Sequence, residues 1–252
     1  MAIFKSGNPA LSEKSFEKTL IIDSNSEVMT ERGTLNKFIL MALLLMGTAS
    51  ITWSAYYQGK DVMPWIIGGA IGGIIIAIIL VFKKQWGSVL APLYALCEGA
   101  FVGGISAYYS FAFETIAPGI VMQAVALTFG AVIAMFALYR FGVIKATEKF
   151  KSVIFIATAA IGIFYLIAFF LRMGGVQMAF LHEGSMLGIG FSVFVVAIAA
   201  LNLILDFDMI EKGAAMGAPK YMEWYGAFGL MVTIVWLYIE ILRLLGKLNS
   251  RD

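Results

Sequence analysis

Four carboxylates stand inside stretches that are otherwise apolar. Glu98 lies in Tyr94-Ala95-Leu96-Cys97-Glu98-Gly99, Asp206 and Asp208 close a run that begins near Ser185, and Glu240 lies between Gly226 and Leu245. A charge placed in hydrocarbon costs at least about 2.5 kcal/mol, so such groups turn toward a protein-enclosed interior and are candidates for binding ions or protons. Glu98 has no basic residue within two turns along the chain. The alternative to a functional carboxyl there is a neutral, hydrogen-bonded structural one.

Asp206 and Asp208 differ by about 200° around a helix, so one of them is expected to face inward. Ser185, Gly188, Ser192, Ala199 and Asn202 share the stripe of Asp206, whereas Ala197, Leu201 and Ile204 share that of Asp208. Small and polar residues belong between helices and bulky apolar ones against lipid. Asp206 is therefore expected inward, and Asp208 is expected to snorkel or to pair with Lys212 four residues on. An acid at a helix C-terminus is disfavoured by the macrodipole, so Asp206 needs a reason other than helix stability. Glu240 has Arg243 three residues on, and an ion pair is the alternative to an ion site. Gly226, Gly229, Thr233 and Glu240 fall on one helical face.

The elements that position these groups follow from composition. Of 252 residues, 61% are hydrophobic and 13% charged, with a mean hydropathy of +0.89; a soluble domain is about half apolar and about a quarter charged. A water-soluble globular enzyme, a disordered chain and a nucleic-acid binder are excluded, the last also by a net charge of only +2. One cysteine cannot form an internal disulfide, and one histidine cannot build a His-rich metal site. No cofactor is expected.

A hydrocarbon core about 30 Å thick is crossed by about 20 apolar residues in a helix. Seven such stretches are predicted, at 38–57, 62–82, 89–113, 117–139, 152–171, 185–205 and 226–245. They are continuous rather than alternating, which gives helices and not barrel strands. The expected architecture is an all-α polytopic membrane protein, a seven-helix bundle spanning 38–245. Residues 1–37 read as a solvated arm rather than a signal peptide, with a short interfacial helix over 11–22, and residues 246–252 as a short polar tail. With the N-terminus inside, 13 Lys and Arg residues fall on the cytoplasmic side and 5 outside, so the expected topology is N-terminus in and C-terminus out.

Gly68 and Gly72, Gly69 and Gly73, Gly99 and Gly103, and Gly184 and Gly188 have the small-xxx-small spacing of close helix packing. Pro64, Pro92 and Pro118 lie near span starts, where proline is tolerated. Enzymatic readings are poor. His182 lacks a second histidine for a zinc motif, Ser106 lacks a histidine within a span, and Cys97 reads as a small apolar filler.

The motifs resemble the Bax inhibitor-1 (transmembrane Bax inhibitor motif) family, in its bacterial branch with an N-terminal extension. Glu98-Gly99-Ala100-Phe101-Val102-Gly103 is similar to the family's Glu-Gly-Leu-x-x-Gly, and Leu205-Asp206-Phe207-Asp208-Met209-Ile210 to its Tyr-Asp-Phe-x-x-Ile. The stretch from Leu237 to Gly246, with Glu240 and Arg243, is similar to its closing helix. The resemblance implies a seven-helix fold with a central last helix and a pH-sensitive calcium leak in the bacterial inner membrane. It also implies an aspartate pair that shares a proton, one member ending the sixth span and one in the seventh. Asp206 matches the first position, and Thr233 stands at the second, so this chain departs from the pattern.

Calcium takes hard oxygen ligands, and Glu98, Asp206 and Glu240 offer anionic stepping sites for calcium and protons, with Asp208 as a further candidate. Asn202, Thr233 and Arg243 would support them, and Lys83 and Lys84 are on the side from which they could reach Asp206. Two other functions remain open: a non-transporting regulator or adaptor that binds a membrane protease or another membrane protein through the arm and the loop 211–225, and a proton-coupled transporter of a small solute. The bilayer is the one certain partner, and the sequence does not fix the oligomeric state.

Overall fold

In a computed structural model, residues 27–175 and 185–250 are described, and every named element among them is helical. The long helices are α1 (Glu31–Tyr57), α2 (Met63–Phe82), α3 (Gly87–Ala112), α4 (Ile120–Arg140), α5 (Glu148–Met173), α6 (Met186–Ala215) and α7 (Met222–Asn249), with a 3-10 turn at Lys84–Trp86 before α3. All seven are long and apolar enough to cross a membrane. The arm up to residue 26, including the expected interfacial helix, and His182 and Gly184 lie outside the described residues.

Most ends agree with the apolar runs to within a few residues, and the exceptions have local causes. The first span begins at Glu31 because Thr30 caps it, its Oγ1 accepting from Gly33 N at 2.9 Å. Residues 31–37 are thus helix rather than arm. The last helix runs on to Asn249, so most of the expected polar tail is helical too. Pro92 sits inside α3, in its second turn, rather than at a tolerated start.

α6 continues to Ala215, well beyond Asp206 and Asp208. The expectation that these acids end a helix is therefore corrected, and the macrodipole no longer bears on them. Polar residues carry the helix past the apolar run because hydropathy marks the bilayer and not the hydrogen-bond ladder.

The chain forms two compact units. One comprises α1, α2, most of α3, and residues 206–235 from the end of α6 and the start of α7. Its helices meet through glycines. A Cβ on Gly69 of α2 would lie 2.5 Å from the Cys97 carbonyl oxygen of α3, and one on Gly73 would lie 2.7 Å from Glu98 Oε1. Gly99 and Gly103 of α3 likewise meet Thr48 and Ala49 of α1. The small-xxx-small pairs thus pack helices within this unit. α6 and α7 are joined here through Gly217, whose φ of +68° suits glycine. Residues beside that turn pair with the chain before α1: Met29 N donates to Ala218 O at 2.7 Å, and Lys220 N to Glu27 O at 3.1 Å.

The other unit comprises α4, α5, the start of α6 up to Leu205 and the end of α7 from Trp236. Ile154 and Ile161 of α5 meet Val195, Ile198 and Leu205 of α6, each set recurring on one helical stripe. The last two helices are the most enclosed, with 50% and 56% of their most apolar stretches buried against 11–39% for the first five.

Candidate functional site

In the unit built on α1–α3, Glu98 is buried on α3. The Tyr94 hydroxyl, one turn earlier, hydrogen-bonds its carboxyl, and Gly73 of α2 gives it room. No cation pairs with it among the described residues. Tyr94 is itself fixed by an edge-on contact with Phe228 of α7, with ring centroids 4.8 Å apart. A carboxyl on an apolar helix is thus held by one hydroxyl beside a glycine of the neighbouring helix.

Asp206 is fully enclosed, at 0% exposure. Asp208 is buried as well, so burial does not separate the two as their stripes suggested. Lys212 Nζ lies 2.9 Å from Asp208 Oδ2, the pair expected from their spacing. α6 is surrounded on more than one side at this level, which a stripe argument built for a lipid-facing helix does not foresee. Lys84 Nζ lies over the Tyr225 ring, 5.3 Å from its centre. Lys83 caps the end of α2. The Tyr225 hydroxyl is buried and has no hydrogen-bond partner among the described residues. Thr233 is buried, its hydroxyl turned to Gly229 O of its own helix at 3.4 Å.

A fifth buried acid, Glu223, was not singled out in the sequence. It accepts from Thr30 N and Thr30 Oγ1, both at 2.9 Å. It also pairs with Lys37 and lies 3.3 Å from Lys220 Nζ. Its position in the first turn of α7 suits an acid. Glu223 ties the start of α1 to the start of α7, and residues 27–29 pair with the turn beside it. Much of the loop 211–225, expected as a docking surface, is therefore covered by the chain itself. The available signal was a Thr-capped helix start close to a lysine, which a hydropathy reading passes over.

In the second unit, Glu240 is buried and Tyr165 Oη lies 3.1 Å from each of its oxygens. Arg243 Nη1 donates to Glu240 Oε1 at 3.0 Å and to Tyr165 Oη at 2.7 Å. The pair with Arg243 carries no net charge, so Glu240 presents little attraction to a passing cation. Asn202 Nδ2 donates to Thr158 Oγ1 and to Ile198 O, each at 2.8 Å, which leaves its Oδ1 without a hydrogen bond among the described residues. Lys247, expected in a polar tail, is buried inside α7. Its Nζ donates to Ser192 Oγ at 2.8 Å and to Gly188 O at 3.1 Å. Among the described residues no group of three or more His, Cys, Asp or Glu could hold a metal ion. Among those residues Glu98 and Asp206 therefore do not belong to such a group.

Over residues 8–250 the sequence matches the Bax inhibitor 1 like family. The chain belongs to that family. The match covers all seven helices, so this member of the Bax inhibitor 1 like family is a polytopic membrane protein whose helices imply a lipid bilayer around them. No curated protein and no solved structure matches the chain.

Proposed function

We propose that this Bax inhibitor 1 like protein is a pH-sensitive calcium leak in the bacterial inner membrane, N-terminus inside, that passes ions without covalent chemistry. The observation that carries the reading is the burial of Glu98 and Asp206 on helices apolar enough to cross a membrane, both in one unit, with no cation paired to Glu98 among the described residues. Negative groups are retained in such a place when they serve an ion or proton path. Each carboxylate supplies hard oxygens that replace part of the calcium hydration shell, and a site with few ligands binds weakly enough to release the ion onward. Protonation removes the charge and with it the attraction, so flux falls on acidification.

Family membership supports the reading, and the departure at Thr233 alters it. A threonine has no carboxyl to share a proton with Asp206, so the pH response rests on the protonation of Asp206 and Glu98 rather than on a shared proton between positions 206 and 233. Asp208, paired with Lys212, and Glu240, paired with Arg243, take structural parts. The test is calcium release from liposomes holding the purified protein. Asp206→Asn and Glu98→Gln are each expected to lower the release rate by roughly tenfold, the effect of removing one unit charge near a cation path. Unchanged release in both variants overturns the reading.

A further inference from the structure

Arg243 spends one corner of its guanidinium on the protein. Among the described residues, its hydrogen bonds to Glu240 and to Tyr165 Oη all leave from Nη1. Nε–H and one N–H of Nη2 run parallel and form the fork that takes two oxygens of a phosphate side-on. The Arg243 side chain keeps 35% exposure, against 2% for Glu240 beside it. The group also lies over the Tyr165 ring, 5.1 Å from its centre. With Nη1 and one face against protein, the open part of the guanidinium is the fork edge.

This edge stands at the level of lipid headgroups. α7 has 28 residues, about 42 Å of helix, which equals a bilayer together with its headgroup regions. Arg243 comes six residues before the end at Asn249, about 9 Å along the axis. Its Cα then lies about 3 Å beneath the edge of the hydrocarbon, within reach of an arginine stem. A neighbouring helix gives the same level independently. A Cβ on Gly246, one turn beyond Arg243, would lie 3.0 Å from Tyr109 Cε1 and 3.4 Å from Phe113 Cζ. α3 ends there, at Ala112, and lipid-exposed backbone leaves a helix only outside the hydrocarbon.

Charge calls for the same ligand. Glu240, Arg243 and Lys247 follow one another on one face of α7, at spacings of three and four, and together carry +1. Glu240 and Lys247 are buried, so the excess charge sits largely out of water, where it is costly. One phosphodiester, with its single negative charge, brings the three side chains to zero. The Lys247 and Arg243 Cβ atoms are about 6 Å apart along the helix, so the ammonium adds to the attraction at the fork.

We propose that Arg243 binds the phosphodiester of a membrane lipid headgroup through Nε and Nη2, with Lys247 supplying the balancing charge. Free phosphate offers the same oxygens but has no acyl chains to hold it at this depth, so the source is a lipid. The site is independent of the calcium-leak reading and needs no ion path.

The experiment uses the full-length protein, stripped of lipid in dodecyl maltoside, and reads the shift in melting temperature on adding dioleoyl phosphatidylglycerol. Wild type is expected to gain about 5 °C at a hundredfold excess over the dissociation constant. A glucosyl diacylglycerol with the same chains and no phosphate is expected to give no shift, and so is inorganic phosphate at the same concentration. Arg243→Lys keeps the charge and its pairing with Glu240 but has no fork, and is expected to need roughly tenfold more lipid for the same shift. Lys247→Gln removes the excess charge and is expected to weaken the response by a similar factor. Arg172→Lys, at an exposed arginine in the last turn of α5, is expected to respond as wild type. Each protein is compared with itself before and after lipid, so a variant of lower starting stability still gives a reading.

An equal shift from the glycolipid overturns the proposal, because the acyl chains alone would then be the ligand. An equal shift from inorganic phosphate overturns the lipid as its source. Wild-type responses in both Arg243→Lys and Lys247→Gln overturn the site. A loss in Arg172→Lys as large as that in Arg243→Lys overturns it too, because any interfacial arginine would then suffice.

Discussion

Tyr165 holds Glu240 from across two helices, its hydroxyl 3.1 Å from both carboxylate oxygens. Arg243 completes the ring from the same helix as Glu240, with its guanidinium 5.1 Å from the centre of the Tyr165 ring. The three residues neutralise one another in a place where an isolated charge would be costly. Their common role is to fasten α5 to α7.

Glu240→Gln is expected to lower stability by on the order of 2 kcal/mol, because it leaves Arg243 facing a neutral amide, and Tyr165→Phe by about 1 kcal/mol, because it removes one hydrogen-bonding hydroxyl. Thermal melts of the purified protein in detergent read both. Calcium release should persist in each. A Glu240→Gln protein of unaltered stability that has lost calcium release would make Glu240 an ion site instead.

The Glu223 cluster predicts a second effect on stability. Thr30→Ala removes a helix cap and should cost about 1 kcal/mol. Glu223→Ala should cost more, on the order of 3 kcal/mol, since it leaves Lys37 and Lys220 without their acid and Thr30 N without an acceptor. Hydrogen exchange at the amides of residues 28–34 should speed up in both variants. Exchange that stays at the wild-type rate in Glu223→Ala would remove the clasp between α1 and α7.

Neighbouring glycines of α2 should respond in opposite directions. A Cβ on Gly69 would lie 2.5 Å from Cys97 O and 2.9 Å from Phe101 N, both backbone atoms that cannot turn aside. Gly69→Ala is expected to destabilise by about 1–3 kcal/mol through overpacking. Gly68 has nothing within 4 Å of such an atom, so Gly68→Ala should be neutral or stabilising by up to about 1 kcal/mol through helix propensity. Comparing the two melting temperatures checks the register of α2 against α3, and equal values would contradict it.

The seven spans were legible because a membrane imposes its thickness on the sequence: an apolar run about 20 residues long has few other meanings. The pairings of Asp208 with Lys212 and of Glu240 with Arg243 were legible because residues three or four apart share a helical face. Contacts between distant helices were not. Tyr165 reads as one aromatic among many, Glu223 as a charge in a polar loop, and Lys247 as part of a tail. Each gains its meaning only when α5, α1 or α6 is brought beside α7. The continuation of α6 past Asp206 was hidden for a different reason, since polar residues in water extend a helix without extending its hydropathy.

The most direct test of the account is the pH dependence of calcium release from liposomes holding wild-type protein or Asp206→Asn. The account predicts that wild-type release falls as the pH is lowered, because protonation removes the charge that attracts calcium, and that Asp206→Asn releases calcium slowly with a much flatter profile. A wild-type rate that does not change with pH, or an Asp206→Asn protein with the full wild-type profile, would contradict it.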